Sequence, residues 1–231
     1  MNDDTISSFS LSVSGLENKD AIAQVHFPNG KLLLAIADGV SSASHGGDAA
    51  RLAIKTCLNF GDKLNISDLF FEVNNQINNS VNMYGGQWSS TLSVCLIQNQ
   101  HALIGHVGDT RIYHLRKHGL ITRTHDHTEI ARLIAEGIIS SKRAVHYPRR
   151  HVLLSAMDGN GKFELQQINF ELFKGDRILL VSDGFYSQIN KREIITLSNK
   201  YSHITDFVEA LKNLLLQRGL VDDASVLCAQ I

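Results

Sequence analysis

Two apolar runs in this chain stop abruptly at an Asp-Gly pair. Leu32 to Ala37 runs into Asp38-Gly39, and Ile178 to Ser182 runs into Asp183-Gly184. A third acidic step, Asp222-Asp223, stands just before the closing apolar run Ala224 to Ala229. Apolar runs this short read as buried strands. A carboxylate at the end of such a strand is held rigidly at the rim of the core. The glycine that follows lets the backbone turn sharply and leaves a carbonyl available to a ligand. Taken singly, Asp-Gly after a strand is most often a turn. Three carboxylates, distant in sequence and each at a strand edge, suggest a shared site for a hard cation, because Mg²⁺ and Mn²⁺ prefer oxygen ligands.

The elements that would position these groups follow from periodicity. Strands are predicted over about 21–27, 31–37, 90–97, 101–107, 111–116, 164–173, 177–182 and 224–230. Asn29-Gly30 is a hairpin signal between the first two, and turns are expected at Asn99-Gln100 and at Arg116 to Gly119. Helical apolar faces occur at 47–59, 67–82, 128–136 and 203–217, with Ser67 the expected N-cap of the second. Strands arrive in runs with helices inserted in pairs, an α+β pattern rather than strict βαβ alternation. That argues against receiver-like and haloacid-dehalogenase-like folds, and the latter also needs an Asp-x-Asp that Asp38-Gly39-Val40 does not supply.

Composition excludes several functions. The chain has 231 residues, 43% hydrophobic and 19% charged, with 22 basic and 23 acidic residues. So even a balance gives no polyanion-binding signature, and nucleic acid is not an expected partner. Cys57, Cys95 and Cys228 are widely spaced in apolar stretches with no Cys-x-x-Cys, which suits reduced core thiols. The acidic start Met1-Asn2-Asp3-Asp4 is no signal peptide, and no apolar run reaches membrane-span length. The expectation is a cytoplasmic, monomeric protein with no membrane partner. His125 and His127 invite a zinc reading, but no third ligand stands at zinc-site spacing.

The motifs, taken in order, resemble the metal-dependent protein phosphatases, the protein phosphatase 2C family, in its bacterial form. Asn18-Lys19-Asp20 is similar to the family's Asn-Gln/Glu-Asp. Asp38-Gly39-Val40 with Gly47-Asp48-Ala49-Ala50 resembles Asp-Gly-x-Gly-Gly … Gly-Glu-x-Ala. Ser90-Thr91-Leu92, Gly108-Asp109-Thr110-Arg111, Asp126-His127-Thr128, Arg143 to Arg150, Ser182-Asp183-Gly184 and Asp222-Asp223-Ala224-Ser225 follow in family order. Any one phrase is weak, but the ordered series over nearly the whole chain is strong.

The resemblance implies a single catalytic domain over residues 1–231, a four-layer α-β-β-α sandwich of two antiparallel sheets flanked by helices, with a flap at about 128–150. It implies a serine/threonine phosphoprotein phosphatase that hydrolyses phosphate monoesters with a hydroxide bridging two Mn²⁺ or Mg²⁺ ions. Asp38 would bridge the ions, with the Gly39 carbonyl and Asp20 at one of them and Asp183 and Asp222 at the other. Asp109 would help hold a weaker third ion. Asp38 and Asp183 are the carboxylates on which catalysis would depend most. The substrate would be a phosphorylated protein, the target of a serine/threonine kinase.

The sequence departs from the family pattern in places. The arginine usual three residues before the Asn-x-Asp phrase is absent from Gly15-Leu16-Glu17, leaving Lys19, Arg51 and Arg149 as candidates to clamp phosphate. Val40 stands where some members carry a histidine, Ser41-Ser42 replaces a glycine pair, and Asp223 replaces an asparagine, which would add negative charge beside the metals. The missing arginine is the feature that favours the alternative of a non-catalytic binding module. A narrow phosphatase of an anti-sigma antagonist would use the same metals. Asp109 could instead pair with Arg111 at a strand end, and Arg149-Arg150-His151 could be a basic patch for an acidic or phosphorylated partner, with a solvated flap edge the favoured reading.

Overall fold

A computed structural model describes the chain except residues 1–4, 62–64 and 145. Met1 to Asp4 of the acidic start and Val145 of the flap phrase therefore lie outside the described residues. In chain order the elements are β1 (Ile6–Leu11), β2 (Asp20–His26), β3 (Leu32–Asp38), α1 (Gly46–Asn59), α2 (Ile66–Tyr84), β4 (Leu92–Gln98), β5 (His101–Val107), β6 (Arg111–Arg116) and β7 (Gly119–Thr122). Then come α3 (Glu129–Ala135), α4 (Ser141–Ala144), β8 (Gln166–Glu171), β9 (Arg177–Val181), α5 (Asp183–Tyr186), α6 (Lys191–Lys200), α7 (Ile204–Arg218) and β10 (Ala224–Gln230).

The strands form two five-stranded sheets, ordered β1-β10-β9-β6-β7 and β2-β3-β4-β5-β8. Every named pairing is antiparallel. Alternation along each strand explains why the central ones are apolar on both faces. In β3, Leu32, Leu34 and Ile36 point between the sheets, against Ile178 and Leu180 of β9 and Leu227 of β10. Leu33, Ala35 and Ala37 point the other way, against Ala49 and Ala53 of α1 and Leu69 and Phe70 of α2. Leu179, Val181 and Cys228 likewise meet Phe207 and Leu211 of α7. Three apolar layers thus separate four layers of structure. Among the described residues no helix is long and apolar enough to cross a membrane.

The same parity places the acidic residues. Asp38 continues the series of Leu32, Leu34 and Ile36, so it reaches the inter-sheet side where the core ends. Asp20 is paired directly with Asp38 across β2 and β3 and shares the parity of Ile22, which packs between the sheets.

The expected turns form. Asn99 and Gln100 both take positive φ, as a tight hairpin turn requires. Lys117, also at positive φ, links β6 to the short strand β7, which periodicity did not reveal. β1 was not expected either. Its Ser-rich pattern is half exposed, and only Phe9 is buried, edge-on to Phe185. Ser67 is not the N-cap of α2: the Asn65 carboxamide accepts from Ser67 N at 2.9 Å and Asp68 N at 3.4 Å, and the Ser67 hydroxyl instead accepts from Gln167 Nε2. The helix starts two residues earlier because the Asn65 amide side chain reaches the open N–H groups first. Asn65→Ala should cost about 1 kcal/mol in denaturant unfolding, whereas Ser67→Ala should cost clearly less. A larger loss at Ser67 would restore it as the cap.

Candidate metal centre

Asp38 is fixed through its backbone. Its N–H donates to Thr91 Oγ1 at 2.9 Å, and its carbonyl accepts from Thr91 N at 2.9 Å and Ser90 Oγ at 3.0 Å. The chain then passes Gly39 so close to the start of α1 that a Cβ there would collide with the backbone of Gly46, and one on Gly46 would strike the Val40 carbonyl. Only glycine allows this approach, which turns the Gly39 peptide at the rim.

Asp20 lies behind this turn, 7% exposed. Its N–H donates to Asn18 Oδ1 at 2.9 Å, so the Asn-Lys-Asp phrase closes a local turn. Its Oδ2 accepts from Ser182 Oγ at 2.6 Å, a bond from one sheet to the other. Its Oδ1 is buried with no hydrogen-bond partner. Burial, opposed by the Ser182 and Ser225 hydroxyls but reinforced by Asp183 and Asp223, pushes its carboxyl up to about 7.

Asp183 opens α5 at the end of β9. Gly184 beside it is packed against the Asp223 carbonyl with no room for a Cβ. Burial, followed by the charge of Asp222, raises the Asp183 carboxyl. Asp109 follows β5 and is 7% exposed. Burial, then Asp183 and Asp126, pushes it up to about 8. Asp38 is raised well above the ordinary range, by burial first and then by Asp20, Asp183, Asp109 and Asp222. These causes form one electrostatic cluster: each carboxylate disfavours the ionisation of the others.

Asp38, Asp109, Asp183 and Asp222 line one cavity of about 360 Å³ at the rim of the sandwich. Asp20 and Gly39 do not line it; Asp20 sits beneath, tied to Ser182. Asp223, expected to add charge beside the cations, turns its carboxylate away to accept from Lys19 N at 2.7 Å and Val13 N at 3.4 Å. Arg111 does not close on Asp109. It makes a two-pronged pair with Asp126, at 2.9 and 2.6 Å, and acts on Asp109 only through its charge.

The orphaned Asp20 oxygen and the all-oxygen donor set fit a hard divalent cation. Among the described residues no three His, Cys, Asp or Glu side chains are arranged to hold an ion unaided. The fit is therefore to an ion that takes one or two carboxylates, a backbone carbonyl and water, as Mg²⁺ does. The histidines do not make a zinc site. His106 is pushed down to about 3, by burial first, and donates or accepts only within the protein, at Ser93 and the His125 carbonyl. His127 Nδ1 accepts from Gly108 N.

Lys19, Arg51 and Arg149 are not among the residues lining the cavity. Arg51 pairs with Glu17 and Asp48, and Arg149 pairs with Glu129 at 2.7 Å. Sequence reasoning missed Thr91 and Ser182 as supports of the carboxylates, and His151 as a lining residue. Thr91 and Ser182 lay inside recognised phrases, so their position was visible but not their bonds. His151 was noticed only as part of the basic run Arg149-Arg150-His151, not as a residue of the cavity wall.

A family model described as protein phosphatase 2C matches residues 10–223. The serine/threonine phosphatase stp of Listeria monocytogenes is 32% identical over 105 residues, 46% of this chain and 42% of that protein. The serine/threonine protein phosphatase PstP of Mycobacterium tuberculosis is 26% identical over 211 residues, 87% of this chain and 41% of its own length. These alignments thus span less than half of either relative. The crystal structure of the PstP catalytic domain in complex with two manganese ions is 26% identical, with a TM-score of 0.82, covering 97% of this chain and 96% of that one.

The cluster makes a prediction for the protein in chelator. Asp20 and Asp109 ionise at about 7 and about 8 when folded, against an ordinary 3.8. Between these limits the folded protein holds protons that the unfolded chain releases, so their contribution to stability falls as pH rises. Melting temperature should drop from about pH 6 to about pH 8 in chelator, and Asp20→Asn should flatten part of that slope. Saturating Mn²⁺ should suppress it, because a cation replaces the proton. A melting temperature that climbs with pH in chelator would place these carboxylates in their ordinary range.

Proposed function

The chain belongs to the protein phosphatase 2C family, and from that premise we propose that it is a serine/threonine phosphoprotein phosphatase dependent on Mn²⁺ or Mg²⁺. The observation that carries this reading is the convergence of Asp38, Asp109, Asp183 and Asp222 on one rim cavity. The manganese ions in the similar PstP catalytic domain and the names of the relatives support the metal and the substrate class.

In this proposal Asp38 and the Gly39 carbonyl would hold the first ion, with Asp20 behind them. Asp183 and Asp222 would hold the second beside Asp38, with water completing its shell, and Asp109 would help retain a third. Divalent ions bound by these residues would neutralise phosphoryl oxygens and lower the pKa of water. The protein's part is to hold its carboxylates still. Thr91 clamps the Asp38 backbone, Ser182 orients Asp20, and the Gly184–Asp223 contact fixes the start of α5. Rigid anionic ligands cost no reorganisation when charge builds on the phosphoryl group. Val40, Ser41 and Ser42 form the wall beside Asp38. Val40 offers no proton, so the leaving alkoxide would be protonated by water.

The substrate is a phosphorylated serine or threonine of a protein, placed there by a kinase that this enzyme would oppose. The flap, residues 128–150, borders the cavity through the segment that follows it, where His151 and Leu153 line the wall. It would shape substrate choice.

A phosphothreonine peptide assayed with EDTA, Mg²⁺ or Mn²⁺ tests the reading. Turnover should require the metal and should fall about a hundredfold or more in Asp38→Asn. The same variant should melt no lower than wild type in chelator, since the neutral amide replaces a carboxyl whose ionisation is already disfavoured there. Folded, metal-loaded wild type that turns over none of several phosphopeptides would sink the proposal.

A further inference from the structure

The cavity presents four carboxylates to whatever enters it, yet a phosphate monoester is itself a dianion. Cations can offset the charge, but a point charge orients a tetrahedral anion poorly. Directional donors are needed to seat it. Among the residues lining the cavity, His151 is the one with a nitrogen-bearing side chain. The arginines and lysine that sequence offered for this task lie elsewhere, and both arginines are paired with carboxylates.

The geometry of the His151 ring suits a donor. Arg150 Nε donates to its Nε2 at 2.8 Å. An accepting Nε2 puts the hydrogen of the neutral ring on Nδ1. Nδ1 stands 4.0 Å from Asp183 Oδ2, beyond hydrogen-bond reach, so that carboxylate does not take up the hydrogen. The side chain is 61% exposed and so open to a large substrate.

The backbone around it is nonetheless anchored. Glu129 N donates to the Val152 carbonyl at 2.9 Å, and Leu154 N donates to the His127 carbonyl at 2.7 Å. Thr128 and Leu153 form an isolated bridge. His127 in turn accepts from Gly108 N, next to Asp109. The backbone that carries the ring is therefore tied to the acidic loop, and the Arg150 contact orients the ring itself, which favours a preorganised donor.

We propose that His151 is the substrate-binding residue that seats the phosphoryl group, through a hydrogen bond from Nδ1 to a non-bridging oxygen. The inference rests on the phosphatase reading above. It assigns to a side chain just past the flap the task for which the sequence lacks an arginine.

The test compares wild type, His151→Leu and His151→Asn at saturating Mn²⁺. The asparagine amide places an N–H close to the position of Nδ1; leucine fills the space without a donor. His151→Leu should raise KM for both a phosphothreonine peptide and p-nitrophenyl phosphate about tenfold or more, with kcat changed much less. His151→Asn should recover most of the loss. Inorganic phosphate, titrated calorimetrically into the Mn²⁺-loaded protein, should weaken in step, while Mn²⁺ affinity and melting temperature stay at wild-type values.

Unchanged KM and phosphate affinity in His151→Leu would overturn the inference, as would equal losses in the leucine and asparagine variants. A loss in kcat confined to the phosphothreonine peptide would overturn it too, moving the ring to the leaving oxygen. The two readings fail separately. Wild type that binds phosphate through His151 but turns nothing over would keep this inference and end the phosphatase proposal. Turnover indifferent to His151 would do the reverse.

Discussion

Mutual repulsion among buried carboxylates is the constraint around which this molecule is arranged. Asp20, Asp38, Asp109 and Asp183 each have their ionisation disfavoured by burial and by one another. Like charges a few ångströms apart cost about 1 kcal/mol per pair in water and several times more where solvent is partly excluded. A chain that only needed to fold would not gather them. Their neighbourhood therefore consists of devices that prevent the carboxylates from moving apart. Thr91 and Ser90 grip the backbone of Asp38, and Ser182 grips the side chain of Asp20. Glycines at 39, 46 and 184 allow backbone segments to touch where any side chain would force them open.

The two sheets share this load. Asp20 and Asp38 come from one sheet, and Asp183 and Asp222 flank strands of the other. Ser182 is the pivot between them: its hydroxyl donates to Asp20 and accepts from Ser225 N at 2.9 Å. Asp223 crosses in the opposite direction, from the start of β10 to the N–H of Lys19 just before β2. Between the sheets these bonds take over where the apolar layer of Ile36, Leu180 and Leu227 ends. The hydrophobic layer sets the spacing of the sheets, and the polar links at its edge set their register at the cavity. Buried polar bonds serve this purpose because breaking one partner leaves the other unsatisfied.

Elsewhere the buried histidines are hydrogen-bonded within the protein, although Thr122 Oγ1 and Arg123 Nε are buried without a hydrogen-bond partner among the described residues. Ser93 binds both His106 and Thr110 beneath the Asp109 loop. At the far end of β6, His114 and Arg116 share Asp176, which also accepts from Phe173 N. Burial lowers His114, and its other nitrogen meets Arg123. These clusters hold turns and strand ends.

The sequence by itself was enough to give the α+β class, eight of the ten strands, the hairpin at Asn29-Gly30 and the four acidic residues that meet at one cavity. These features are local: a strand announces itself by its apolar run, and a carboxylate ending it by a glycine. The strands it concealed, β1 and β7, are short or half exposed, and their pairing rather than their composition makes them strands. The helix α6 carried a readable capping box, Asn190 with Glu193, that apolar periodicity alone passed over. What the tertiary structure decided is which groups meet. Whether Arg111 neutralises Asp109 or Asp126, whether Asp223 faces the cavity or Lys19, and whether His151 lies on the wall or on a solvated edge all depend on contacts between residues far apart in the chain. Such contacts are set by packing of the sheets and loops in three dimensions, and no spacing along the sequence encodes them.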